Sequence, residues 1–205
     1  MTTSLARLKD GYTNGGRSVA LRFMQRFRSV PLTPNQLTTS GFLLNVAAGA
    51  LIYERHWVWA AAVFILGSVI DALDGALARA HGKMTPFGGF LDSTLDRMSE
   101  GVVLGAIALV LADQGHTVAL ACVFVALVGS FLVSYTRAKA EALGLKGDVG
   151  LMARAERIVL LAVALPFAGL GVLPYVIYVL AALTAFTVAQ RMAFVRTQLQ
   201  SKLEE

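Results

Sequence analysis

Asp71-Ala72-Leu73-Asp74-Gly75-Ala76-Leu77-Ala78-Arg79, eight further residues, and then Gly88-Gly89-Phe90-Leu91-Asp92-Ser93-Thr94-Leu95-Asp96 is the stretch that decides how this chain must fold. It places four carboxylates and an arginine inside or beside strongly apolar sequence. A bare charge in hydrocarbon costs about 2.5–3.5 kcal/mol on insertion scales. The four acids therefore need compensation, and clustered carboxylates are well matched by a hard divalent cation.

The surroundings make that cost real. The chain has 205 residues, 56% of them hydrophobic and 15% charged, with a mean hydropathy of +0.64. A soluble domain carries nearer a quarter charged residues. The composition indicates an all-α polytopic membrane protein, with length for about six spans of ~20–25 residues. Six apolar segments are visible, at about 35–53, 57–79, 86–112, 116–143, 151–170 and 173–196. Pro34, Pro86 and Pro174 sit at segment starts, where a missing N–H costs little, and Pro31 lies just before the first. Pro166 falls inside the fifth segment and predicts a kink.

Ahead of these spans, residues 1–16 read as a polar tail. Residues 17–30 read as a juxtamembrane amphipathic helix, with Ala20, Phe23, Met24 and Phe27 on one face and Arg22 and Arg26 off it. That pattern suits the interface of an anionic membrane. The six-helix domain is expected over 31–197, and 198–205 as a C-terminal tail. The polar, basic opening does not resemble a signal peptide. The N-terminus, the 79–85 loop, the 137–157 region and the C-terminus hold nearly all Lys and Arg, whereas the turns at 54–56, 113–116 and 171–174 hold only Arg55. The positive-inside rule then puts both termini in the cytoplasm, which an even number of spans satisfies. A lone cysteine, Cys122, excludes an internal disulfide and a thiolate metal site. No nucleic-acid partner is expected, and Gly82-Lys83 lacks the spacing of a P-loop.

Asp71 and Asp74 are spaced i, i+3, and Asp92 and Asp96 i, i+4, so each pair shares a helical face. Counted from the ends near Ala80 and Pro86, the two pairs lie at matching depths, roughly 9–15 Å at 1.5 Å per residue. Antiparallel neighbours would bring all four together. Two Mg²⁺ or Mn²⁺ ions would balance their charge and form the clamp used for in-line displacement at phosphorus. Gly75, Ala78 and Gly88 would let helices or a flat ligand come close, and Arg79 could meet a phosphate. Two other readings compete. The acids could pair with internal cations, although only Arg97 is comparably deep. They could also line an ion path, as in a divalent-cation transporter, although they sit near one face and the chain halves show no inverted repeat.

The eight fixed positions Asp71, Asp74, Gly75, Ala78, Arg79, Gly88, Asp92 and Asp96 resemble, without gap or substitution, the signature of the CDP-alcohol phosphotransferases. The resemblance implies six transmembrane helices, usually a homodimer, and displacement of CMP from a CDP-linked lipid by an alcohol. It implies that the four Asp bind two metal ions and that Asp96 is also the base. It further implies that Gly75, Ala78, Arg79, Gly88 and Thr85 line the CDP-lipid site. Thr33, Pro34, Asn35 and Gln36 read by themselves as a helix start; the resemblance adds a nucleotide-binding role.

The second half is similar to the bacterial phosphatidylinositol phosphate synthases through Ser134–Glu141, Gly144–Gly147, Arg154–Arg157 and Gln190-Arg191. That likeness implies an acceptor-phosphate pocket of Arg137, Lys139, Arg154 and Arg191. Helix-end cations can also simply snorkel toward headgroups. The Arg-Ala-Lys order at 137–139, Asn35 and Ala155 depart from the subgroup's usual Lys-Ala-Arg, Asp and Pro, and Arg and Lys are not interchangeable in bidentate sites. The expected reaction is transfer of the phosphatidyl group from CDP-diacylglycerol to inositol 1-phosphate at the cytoplasmic face of the inner (plasma) membrane. Glycerol 3-phosphate is the alternative acceptor. Finally, Gly101-Val102-Val103-Leu104-Gly105 is a small-xxx-small pattern, suited to packing within the chain or to a dimer contact.

Overall fold

The computed structural model describes residues 33–80 and 85–204, with side chains over 33–73 and 85–202. The expected tail 1–16 and amphipathic helix 17–30 lie outside the described residues. Six α-helices and one 3-10 helix account for most of the rest, with no strand among the described residues. They are α1 (Pro34–Tyr53), α2 (Trp57–Ala80), α3 (Pro86–Asp113), α4 (Thr117–Ala142), α5 (Arg154–Ala164), the 3-10 helix Leu165–Leu170, and α6 (Leu173–Glu204).

The first four apolar segments become helices within a residue or two of their expected limits. The fifth changes from α to 3-10 at Leu165, one residue before Pro166, whose ring and missing N–H forbid the regular ladder. The sixth continues through Glu204, so residues 198–204 of the expected tail are helical. The reason is polar. Gln198 accepts from the Lys146 N–H at 3.0 Å and donates to its carbonyl at 2.8 Å, tying this last stretch to the α4–α5 loop.

Helix α1 packs along both α2 and α3, and α4 packs along α6. The α1–α2 approach is close because glycines face each other. A Cβ on Gly41 would sit 3.0 Å from the Gly67 carbonyl oxygen, and one on Gly67 would sit 3.0 Å from that of Gly41. In the α4–α6 pair, a Cβ on Gly129 would lie 2.5 Å from Thr184 Oγ1, so only glycine fits. The shared core includes Ile52, Phe64, Leu104, Ile107, Leu165 and Ile177. The Gly101–Gly105 face behaves differently: a Cβ at either position meets nothing within 4 Å. Among the described residues, that pattern does not serve close packing within the chain.

Side-chain contacts fix the topology. Asn35 lies beside Gly88, Arg154 meets Asp71 and Asp96, and Gln198 meets Lys146. The starts of α1, α3 and α5 and the ends of α2, α4 and α6 therefore share one end of the bundle. At the other end Arg55 pairs with Asp113.

Large apolar side chains face outward on every helix, among them Leu43, Trp59, Leu109, Phe124, Val163 and Phe186, each more than half exposed. A water-soluble protein rarely shows so much apolar surface, so the outer face suits lipid. By length and composition α4 and α6 can cross a membrane, and α2 has a shorter apolar stretch at Trp57–Leu73. The other helices are more polar or shorter: α3 carries the acids, α1 opens with Asn, Gln, Thr and Ser, and α5 is 11 residues long.

Candidate active site

Asp71, Asp92 and Asp96 converge: one carboxylate oxygen from each lies within 4.8 Å of the others. Asp71 comes from α2, held against α1 where Gly41 leaves room; a Cβ there would be 3.3 Å from that of Asp71. Asp92 and Asp96 come from one face of α3, a turn apart. Asp71 and Asp96 are buried and Asp92 half-buried. Three hard anionic oxygens this close, largely shielded from water, suit a small divalent cation. Asp74 lies one turn beyond Asp71 on the same helix, but its side chain lies outside those described, as do Gly75, Ala78 and Arg79.

The expectation that only Arg97 lies deep enough to meet these acids is corrected by the structure. Arg97 is 3.4 Å from Asp96 Oδ2 and donates to the Ser93 carbonyl at 2.7 Å. Among the described residues the principal cation is Arg154, whose Nη1 lies 2.7 Å from Asp71 Oδ2 and 2.6 Å from Asp96 Oδ1. The resemblance places Arg154 in an acceptor-phosphate pocket; the fold places it in the acid cluster. Sequence depth misled because α5 starts at the acid end and reaches inward from another side.

One turn deeper is an ion pair that the site reading missed. Arg157 donates to both Glu100 oxygens, at 2.5 and 2.8 Å, and to the Met152 carbonyl at 3.1 Å. Its side chain is 1% exposed. The signal was present in the sequence, since Glu100 continues the Asp92–Asp96 stripe by four residues and Arg157 follows Arg154 by three. Asn45, Ser68, Ser99, Glu100, Arg154 and Arg157 line a small pocket among α1, α2, α3 and α5.

The N-termini of α1 and α3 lie side by side. A Cβ on Gly88 would be 3.0 Å from Thr85 Oγ1 and 3.2 Å from Asn35 Oδ1. Thr33 and Gln36 form a reciprocal capping box, with Thr33 N–H donating to Gln36 Oε1 at 2.9 Å and Gln36 N–H to Thr33 Oγ1 at 3.3 Å. Thr85 caps α3 by accepting from Gly88 N–H at 2.9 Å. Pro34 and Pro86 open both helices. Two adjacent helix N-termini bring their positive dipole ends together, a setting that favours phosphate.

The remaining acceptor candidates are spread out. Arg137 is exposed and pairs with Glu141 at 2.9 Å. Lys139 is exposed and, two residues on, points to another side of α4. Arg191 is buried; it donates to the Val149 carbonyl at 2.7 Å and also to that of Val133, fastening both the α4–α5 loop and α4 itself to α6. Thr187, one turn earlier, accepts from Met152 N–H at 3.0 Å. Gly150 has φ +129°, and a Cβ there would meet Thr187 Cγ2 at 2.4 Å.

The chain is similar to known proteins in sequence and in fold. The CDP-alcohol phosphatidyltransferase family profile matches residues 31–198. An archaetidylinositol phosphate synthase of Pyrococcus horikoshii is 40% identical over 165 residues, covering 80% of this chain and 85% of that one. A phosphatidylinositol phosphate synthase of Corynebacterium glutamicum is 40% identical over 169 residues, covering 78% and 76%. The crystal structure of the Mycobacterium tuberculosis phosphatidylinositol phosphate synthase with CDP-DAG bound superposes with TM-score 0.78 at 29% identity, covering 87% of this chain and 94% of that one. The same enzyme has been solved with manganese and citrate, at TM-score 0.77. The chain belongs to the CDP-alcohol phosphatidyltransferase family.

Proposed function

We propose that this CDP-alcohol phosphatidyltransferase transfers the phosphatidyl group of CDP-diacylglycerol to inositol 1-phosphate and releases CMP. The observation that carries the reading is the convergence of Asp71, Asp92 and Asp96 within 4.8 Å at the end of the bundle where the basic residues gather. The named activity of the relatives supports the substrates.

Asp71, Asp74, Asp92 and Asp96 would hold two divalent ions, Mg²⁺ or Mn²⁺. Bound there, the ions supply charge stabilisation to the pyrophosphate and its in-line displacement. The paired N-termini of α1 and α3, with Thr33, Pro34, Asn35, Gln36, Thr85 and Gly88, bind the nucleotide end, joined by Gly75, Ala78 and Arg79. Asp96 takes the proton of the acceptor hydroxyl as that oxygen bonds to the lipid-side phosphorus. The bridging P–O bond breaks and its electron pair leaves with CMP. Arg154 would serve the acceptor phosphate, for which a guanidinium fork is well suited, with Arg137 and Lys139 adding positive charge from the end of α4, while Arg191, engaged with the Val149 and Val133 carbonyls, would hold the neighbouring backbone in place.

The donor's acyl chains stay in the bilayer, which is why the site opens at one end of an apolar bundle. The six helices would form a multi-pass domain of the inner (plasma) membrane, with the acid end and both termini cytoplasmic, a reading that the distribution of Lys and Arg supports. The open Gly101–Gly105 face supports a homodimer contact there. A CDP-linked ether lipid is the second donor reading, favoured by the Pyrococcus relative.

The test is Mg²⁺-dependent CMP release by purified protein, with diacyl and ether donors, comparing inositol 1-phosphate, free inositol and glycerol 3-phosphate. Release with inositol 1-phosphate alone is expected. Release with glycerol 3-phosphate alone would keep the carboxylate chemistry and overturn the acceptor. No release with any acceptor would overturn the enzyme reading.

A further inference from the structure

Arg154 and Arg157 lie one turn apart on α5 and meet Asp96 and Glu100, one turn apart on α3. The two rungs are built differently. Arg157 uses three nitrogens: Nε and Nη2 engage both Glu100 oxygens, and Nη1 reaches the Met152 carbonyl. Its side chain is almost wholly enclosed. Arg154 reaches both Asp71 and Asp96 with Nη1, and its side chain is 28% exposed. A planar fork normally binds a carboxylate through two parallel bonds; this one bridges two carboxylates by its tip.

Asp71 and Asp96 are also two of the three acids whose oxygens converge. Arg154 Nη1 lies between the Asp71 and Asp96 carboxylates, so a divalent cation drawn to the same pair competes with it for that space and for their charge. The backbone that carries Arg154 is fixed by the Arg157 bonds and by the Met152–Thr187 bond. Relief therefore falls to the long, partly exposed side chain.

We propose that Arg154 is a resident counter-cation which exchanges with divalent metal. Before metal enters, it holds Asp71 and Asp96 together and offsets their repulsion. When metal binds, its guanidinium swings off the acids to the rim of the site, where it is free for the acceptor's phosphate. Arg157 does not exchange and is the fixed point about which the change occurs. The exchange rests on the two-metal reading above.

Mn²⁺ binding without nucleotide tests it, followed by the loss of the free-ion electron paramagnetic resonance signal on titration. Arg154→Gln should lower the apparent Kd about tenfold, the effect of relieving one charge-assisted contact. A folded variant with unchanged or weaker binding overturns the exchange. Wild-type protein supplies a second measurement, whether or not that variant folds: phenylglyoxal labelling with and without Mn²⁺, read by peptide mass spectrometry. Labelling of Arg154 should rise several-fold with Mn²⁺ while Arg157 stays protected in both. Arg154 labelling that does not rise overturns the exchange. Absence of any Mn²⁺ binding by the wild type would instead sink the two-metal reading, and the exchange with it.

Discussion

The two ends of this bundle use the same helices for opposite purposes. At the acid end, Asp71, Asp96, Glu100, Arg154 and Arg157 are drawn in among packed helices, and Arg157 is sealed from solvent. At the other end the charges Glu54, Arg55 and Asp113 are all exposed, and the side chains of the Arg55–Asp113 pair are 48% and 70% exposed. Between them lies an apolar core of Ile52, Leu104, Ile107, Leu111, Leu173 and Ile177. The difference shows where the electrostatic cost is carried. Exposed pairs are worth little, whereas removing one partner of a buried pair leaves an uncompensated charge. The acid end is therefore the costly one, and the apolar core is what can support it.

Four substitutions sharpen or break that contrast. Asp96→Asn should lower CMP release by about 10³-fold, in the range expected for loss of a general base, with little change in thermal stability; retention of full activity would remove Asp96 from the chemistry. Glu100→Ala strands Arg157 and should destabilise the fold by about 3–5 kcal/mol, read from unfolding in mixed micelles. A stable Glu100→Ala protein would mean that the inner pair is not the anchor. Gly129→Val forces a side chain against Thr184 and should cost about 1–3 kcal/mol of stability through overpacking, with the acceptor KM unchanged. Arg55→Ala should shift stability by less than about 1 kcal/mol and leave turnover intact. A large loss there would show that the two ends do not differ as described.

Much of this was legible in the sequence because the relevant signals are local. Helix limits follow from apolar runs punctuated by Thr33-Pro34 and Thr85-Pro86, and the kink expected at Pro166 takes the form of a 3-10 stretch. The i, i+3 and i, i+4 spacings foretold that acids from α2 and α3 would meet. What stayed hidden depends on which helix approaches from the side. Depth counted along two helices could not show that α5 delivers Arg154 into the acids. It likewise could not show that Arg191 spends its donors on the Val133 and Val149 carbonyls. The inner pair was half visible: Glu100 extends the acidic stripe, but its partner lies 57 residues away. The small-xxx-small pattern at Gly101–Gly105 has a clear period, yet period alone does not say whether the face meets its own chain.

The proposed two-metal site at the acid end is best tested by counting the Mn²⁺ ions bound per chain by purified protein. Two are expected for the wild type and fewer for Asp92→Asn. A wild-type count of one or none, or a count indifferent to that substitution, would contradict it.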